Sequence, residues 1–165
     1  MASKRFFIFI LALLPLLSSC AAKSDPLAYQ NGVSRAECTL ELEGAEYKVA
    51  ITPGSALTVV EPGEIAGAVF SVTDGVYTVT AGETTRELPK SLIPLMEPIL
   101  GALSLPEADA KTSTSGDDVR TVKVSANGGD YEIKLAPDGA PSAISYTGAR
   151  EFVMRGIKLE VREQK

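Results

Sequence analysis

The chain has no histidine and no tryptophan, and only two cysteines in 165 residues. Without histidine, Ser-His-Asp and Cys-His nucleophiles, imidazole-bound metals and an ordinary imidazole base are excluded. No serine is followed three positions later by lysine, so the Ser-x-x-Lys nucleophile is missing too. Positive charge is scarce: sixteen Lys and Arg against twenty-one Asp and Glu give a net charge of −5. Affinity for a phosphate backbone is built from a surplus of Lys and Arg, so nucleic acid is not an expected partner. These gaps leave little chemistry for an enzyme, and no catalytic residue, metal ligand or cofactor is expected.

The first feature present is the amino terminus. Met1 to Arg5 form a short basic region, and Phe6 to Leu17 are twelve residues without a charged or polar side chain. Twelve residues are too few to span a bilayer as a helix, and the pattern is that of a leader. Leu17-Ser18-Ser19-Cys20 follows, which resembles a bacterial lipobox. That resemblance implies removal of residues 1–19 and attachment of diacylglycerol to the Cys20 thiol. Losing Lys4 and Arg5 with the leader takes the charge from −5 to −7. Two acyl chains anchor stably at about 0.8 kcal/mol per buried methylene. Residues 20–29 are small and polar and form a tether. The expected location is therefore extracytoplasmic, lipid-anchored to a bacterial membrane through Cys20. With Cys20 acylated, no disulfide framework remains, and Cys38 alternates with Glu37 and Thr39 on the buried side of a strand.

A period of two recurs beyond the tether. Ala36, Cys38, Leu40 and Leu42 alternate with polar residues, as do Tyr47, Val49 and Ile51. Asp74-Gly75 and Asn127-Gly128 stand between alternating runs, which marks hairpins. Leu57 to Val60, Val76 to Thr80, the weaker Glu83 to Glu87, Val122 to Val124, Tyr131 to Leu135 and Ala143 to Thr147 complete the short strands. Phe152 with Met154 precedes a final strand of Ile157, Leu159 and Val161. Between the two strand blocks the texture changes. Leu92, Leu95, Met96, Ile99, Leu100 and Leu103 fall at helical spacings of three and four, while Pro89, Pro94 and Pro98 argue against one regular helix. One or two short helices are expected within 89–104, kinked or broken around Pro94 and Pro98. Leu105 to Asp118 is expected as a long polar connection.

The sum is a mainly β chain with a small α insert, nine to eleven antiparallel strands in one domain, residues 30–163. A meander of that length curls, and its concave face can be covered either by another sheet or by a helix. The order of strand block, proline-broken apolar helix, polar loop and strand block resembles the LolA and LolB superfamily of lipoprotein-carrying envelope proteins. The likeness lies in Tyr29 to Ser34 before the first strand, Val72 to Val79 ahead of Leu88 to Leu92, and Leu135 to Ile144. It implies a strongly curved, incomplete barrel with a helical plug, and an apolar cavity that receives acyl chains. The family's helix before the first strand and the cavity arginine of its carriers have no counterpart here.

Other groupings carry a plainer meaning. Glu107, Asp109, Asp117, Asp118 and Asp130 lack the ligand spacing of a calcium loop and are expected as solvated charge. Glu37, Glu41 and Glu43 lie on an alternating polar face and do not form a glycosidase pair. The insert is the expected functional region, with Leu92, Leu95, Met96, Ile99 and Leu103 facing a lipid or the acyl chain of a lipoprotein. The alternative is an envelope scaffold whose insert simply fills the core and whose outer surface holds a protein partner. Seven apolar side chains from Leu92 to Leu103 are worth roughly 10 to 20 kcal/mol if fully buried. A domain is stable by only about 5 to 15 kcal/mol, so the insert cannot undock completely without unfolding the rest.

Overall fold

The structure is a computed structural model that describes residues 25–107, 110–114 and 119–162. The expected leader 1–19, the expected lipobox with Cys20, and Asp109, Asp117 and Asp118 lie outside the described residues. Eleven strands form one antiparallel sheet that curves without closing. They are β1 (Val33–Leu42), β2 (Ala45–Thr52), β3 (Ala56–Glu61), β4 (Val69–Thr73), β5 (Val76–Ala81), β6 (Thr84–Glu87), β7 (Lys111–Thr114), β8 (Arg120–Ala126), β9 (Gly129–Leu135), β10 (Pro141–Thr147) and β11 (Glu151–Val161). Their spatial order is β6-β5-β4-β3-β2-β1-β11-β10-β9-β8-β7. Each half of the sheet is a meander, and the first and last strands meet in the middle.

Turn chemistry explains the meander. Two-residue hairpin turns that follow the strands' twist require positive φ at both central positions. Asp74-Gly75 adopts φ of 52° and 78°, Asn127-Gly128 52° and 77°, and Glu43-Gly44 51° and 83°. Asp and Asn tolerate that region readily, whereas glutamate at Glu43 has no such preference.

The final strand is continuous from Glu151 to Val161, where two pieces were expected. Phe152 and Met154 pair with Leu42 and Leu40, while Leu159 pairs with Ala36, and the register shifts between Glu37 and Thr39. Gly156, at φ 61°, sits in this bulge and absorbs the extra residue. The change from even to odd apolar positions is therefore a bulge and not the end of a strand. It also bends the sheet at its centre.

The polar connection after Leu105 is corrected as well: it contains β7, an exposed four-residue edge strand paired with β8. At the start, Leu27 is buried at 1% exposure and Ala28–Gln30 form a 3-10 turn, so the stretch expected as tether already touches the core by Leu27. The insert divides into a 3-10 turn at Lys90–Leu92 and the helix α1 at Met96–Gly101. Its break falls at Pro94. Pro98 lies inside α1 without breaking it, because it is the third helical residue, where a backbone N–H has no intrahelical partner to lose.

Candidate functional site

α1 lies across the sheet and is held by polar bonds to three separate strands or turns. The Tyr77 hydroxyl on β5 donates to a Glu97 carboxylate oxygen. The Tyr131 hydroxyl on β9 donates to the Pro98 carbonyl at 2.9 Å while accepting from Asn127 Nδ2 at 2.8 Å. The Gly54 amide, in the turn between β2 and β3, donates to the Leu100 carbonyl at 3.0 Å. Burial pushes both tyrosine hydroxyls up to about 12, and for Tyr77 the neighbouring carboxylate adds to the shift. Both therefore remain donors throughout the neutral range. Glu97 is held below the usual carboxylate range, first by its bond from Lys90 at 2.8 Å and then by the Tyr77 hydroxyl.

On the β8 to β11 side of α1 the core is filled. Tyr131, Tyr146 and Phe152 form a chain of rings with centroids 4.9 and 5.2 Å apart. Ile133, Ile144 and Met154 around them are at most 1% exposed. On the other side, between β1 to β4 and the first half of the insert, a cavity of about 300 Å³ remains. Its floor is Leu40, Val49, Leu57 and Val59, its roof Ile93 to Met96 and Ile99, and its mouth includes Ile65 and Leu92. Leu92 is 68% exposed and Ile65 44%, the former the most exposed large apolar side chain among the described residues. The cavity is thus lined mainly by aliphatic side chains, joined by Phe70, with Tyr47 and Arg150 as its only polar lining residues among those described.

Four of the five residues expected to face a ligand line this cavity: Leu92, Leu95, Met96 and Ile99. Leu103 does not line it; it lies beyond the end of α1, 2% exposed within the packed core. Arg150 at the mouth was missed by the sequence reasoning. It stands in the turn between β10 and β11 with no local motif to single it out, and the pairing of Leu42 with Phe152 brings that turn beside the β1–β2 hairpin. Its Nη1 donates to Glu43 Oε1 at 3.0 Å.

A larger depression of about 850 Å³ lies beside β7 to β10, lined by Lys111, Lys123, Asp130, Glu132 and Ser145. Its lining is mixed, with Ala110, Val124 and Tyr131 beside the charged residues, and the charges neutralise one another, Lys123 reaching Glu132 at 3.1 Å. No group of side chains suited to a metal ion occurs among the described residues, and no helix among them is long and apolar enough to cross a membrane.

No family model and no curated protein matches the chain. Among solved structures, it is similar to the lipoprotein LppX of Mycobacterium tuberculosis, at 12% identity and a TM-score of 0.45, covering 86% of this chain and 93% of that one. It is also similar to a LolA superfamily protein of Nitrosomonas europaea, at 9% identity and a TM-score of 0.41, covering 79% and 86%. An uncharacterised conserved protein of Thermus thermophilus is similar at 11% identity and a TM-score of 0.40, covering 84% and 85%.

Proposed function

We propose that this protein is a non-enzymatic binder of a single acyl chain, tethered to the outside of a bacterial membrane through Cys20. The observation that carries the binding reading is the aliphatic cavity of about 300 Å³ beside a core that is otherwise closely packed. The cavity opens to solvent past Leu92 and Ile65, and its apolar walls lack dispersion contacts that an acyl chain would supply. Ligand cavities begin at about this size, which suits one chain and not a multi-chain lipid enclosed whole. The chain enters past Leu92 and Ile65 and lies along Leu57 and Val59 beneath Met96 and Ile99. α1 need not leave its site, because the exposed, proline-broken segment before it forms the mouth.

Each methylene removed from water contributes about 0.8 kcal/mol, and about 1.4 kcal/mol is a factor of ten in affinity. Calorimetry over a series of fatty acids should therefore show affinity rising about fourfold per methylene and levelling once the cavity is full. Met96→Phe should weaken this binding while costing less than about 1 kcal/mol of stability, since the ring enters empty space. In a filled site the same overpacking costs about 1 to 3 kcal/mol. Absence of saturable binding by the unmodified protein would sink the proposal. For the tether, Cys20→Ser should abolish incorporation of labelled fatty acid, and unchanged labelling would refute the anchor.

A further inference from the structure

A cavity with aliphatic walls selects for the tail of an amphiphile and is indifferent to its head. Only one formally charged side chain, Arg150, borders the cavity among the described residues. It stands at the end where Leu42 and Tyr47 reach the β1–β2 hairpin, so a tail running inward beneath Met96 leaves its head beside the guanidinium. Arg150 is occupied by Glu43 through one nitrogen and one oxygen at 3.0 Å, with the two side chains 56% and 71% exposed. Exposed pairs of this kind are among the weakest in proteins, and a guanidinium has five donors of which this contact uses one. Glu43 is also the one residue of its type at positive φ; the other non-glycine positions there are Asp74 and Asn127. A backbone position suited to Asn or Gly thus carries a carboxylate, and that carboxylate lies on the arginine at the mouth.

We propose that the ligand is a single-chain amphiphile with an anionic head, a carboxylate or a phosphate, and that Arg150 binds this head by exchanging Glu43 for it. Glu43 acts as a resident stand-in that keeps the guanidinium neutralised and oriented while the cavity is empty. The exchange moves no proton and breaks no covalent bond: one carboxylate leaves the guanidinium as another oxyanion arrives. Glu43 engages the guanidinium through Nη1 alone, which leaves its remaining N–H donors for an incoming carboxylate or phosphate to take in a two-point contact. This inference rests on the acyl-chain reading and names the head of the same ligand.

The test compares dodecanoate, dodecyl phosphate and dodecanol by isothermal titration calorimetry at low ionic strength, where an exposed charge pair is least screened. Either anion should bind up to about fivefold more tightly than the alcohol. The tighter of the two identifies the head. In Arg150→Gln the ratio of anion to alcohol affinity should fall to about one, Arg150→Lys should restore part of it, and Glu43→Gln should raise it by removing the competitor. Circular dichroism would confirm that each variant is folded. Equal binding of anion and alcohol by the unmodified protein, or a ratio unchanged in Arg150→Gln, would overturn the assignment and leave the acyl-chain reading standing. If no probe binds, the acyl-chain reading itself falls.

Discussion

The β8 to β11 side of the sheet and the β1 to β4 side meet the same insert with different side chains. On the first, Tyr131 tilts at 54° against Tyr146, Tyr146 stacks on Phe152, and the Tyr131 hydroxyl bonds α1 through the Pro98 carbonyl. On the second, the smaller Leu40, Val49, Leu57 and Val59 belong to the same buried cluster as Met96 and Ile99, and space remains beside them. Tyr131 ties the Pro98 carbonyl to the filled side, whereas the segment before α1 is joined to it by the solvent-exposed Lys90–Glu97 bridge. The contrast teaches that one half of the sheet supplies stability and the other supplies room, a division set by side-chain length on strands with the same alternation.

The largest effect that could break this contrast is a truncation on each side. Phe152→Ala removes a ring that is 2% exposed and stacked on Tyr146, and should cost about 3 to 5 kcal/mol in chemical denaturation. Leu57→Ala borders existing empty space, so its cost should stay near about 2 kcal/mol, the low end for such truncations, and the enlarged cavity should accept a longer chain. Equal costs would mean that the two halves are packed alike. Next comes Tyr131→Phe, which leaves the Pro98 carbonyl without its donor and Asn127 Nδ2 without its acceptor. A loss of about 1 to 3 kcal/mol is expected, with fatty-acid affinity changed less than twofold because the other half forms the cavity.

The smallest effect concerns the seam between the halves, where Cys38 is buried at 7% exposure opposite the bulge. Burial raises its thiol from 9.0 to about 12. The folded chain therefore keeps a proton that the unfolded chain releases above about pH 9, and stability falls as pH rises between those values. By about pH 10 this group should have cost about 1 kcal/mol relative to neutral pH. Denaturation curves of Cys38→Ala should lose stability less steeply over that range. Iodoacetamide should label the native thiol slowly and the denatured one at once; rapid native labelling would place Cys38 on the outer face.

Much of this architecture is legible in the sequence because local chemistry dictates it. Asp74-Gly75 and Asn127-Gly128 fix hairpins by the φ values they allow, and the spacing from Leu92 to Leu103 locates the covering insert. β7 is hidden because Lys111 to Thr114 has no apolar alternation, and only the edge of β8 makes it a strand. The bulge at Gly156 is written in the sequence as a shift of parity, which looks the same as a chain break until β1 is laid beside it. The cavity residues are legible as apolar, but periodicity does not distinguish a side chain facing a void, such as Met96, from one facing neighbours, such as Leu103. Arg150 has no local signature at all; long-range pairing alone carries it to the mouth.

The seam of β1 with β11 also sets an order of events. Val33 pairs with Val161, and the Arg162 amide donates to the Gly32 carbonyl at 2.9 Å, so the central strands join residues from opposite ends of the domain. Every other neighbouring pair in the sheet is a hairpin of consecutive strands that closes a short loop. Closing a loop of nearly the whole domain costs more entropy than closing a hairpin, and contacts of such sequence separation slow folding. As the chain is synthesised from its amino end, β1 gains β2 early but keeps a bare hydrogen-bonding edge until the last strand emerges. The two meanders are free to form separately, and every residue lining the aliphatic cavity except Arg150 belongs to the portion that emerges first.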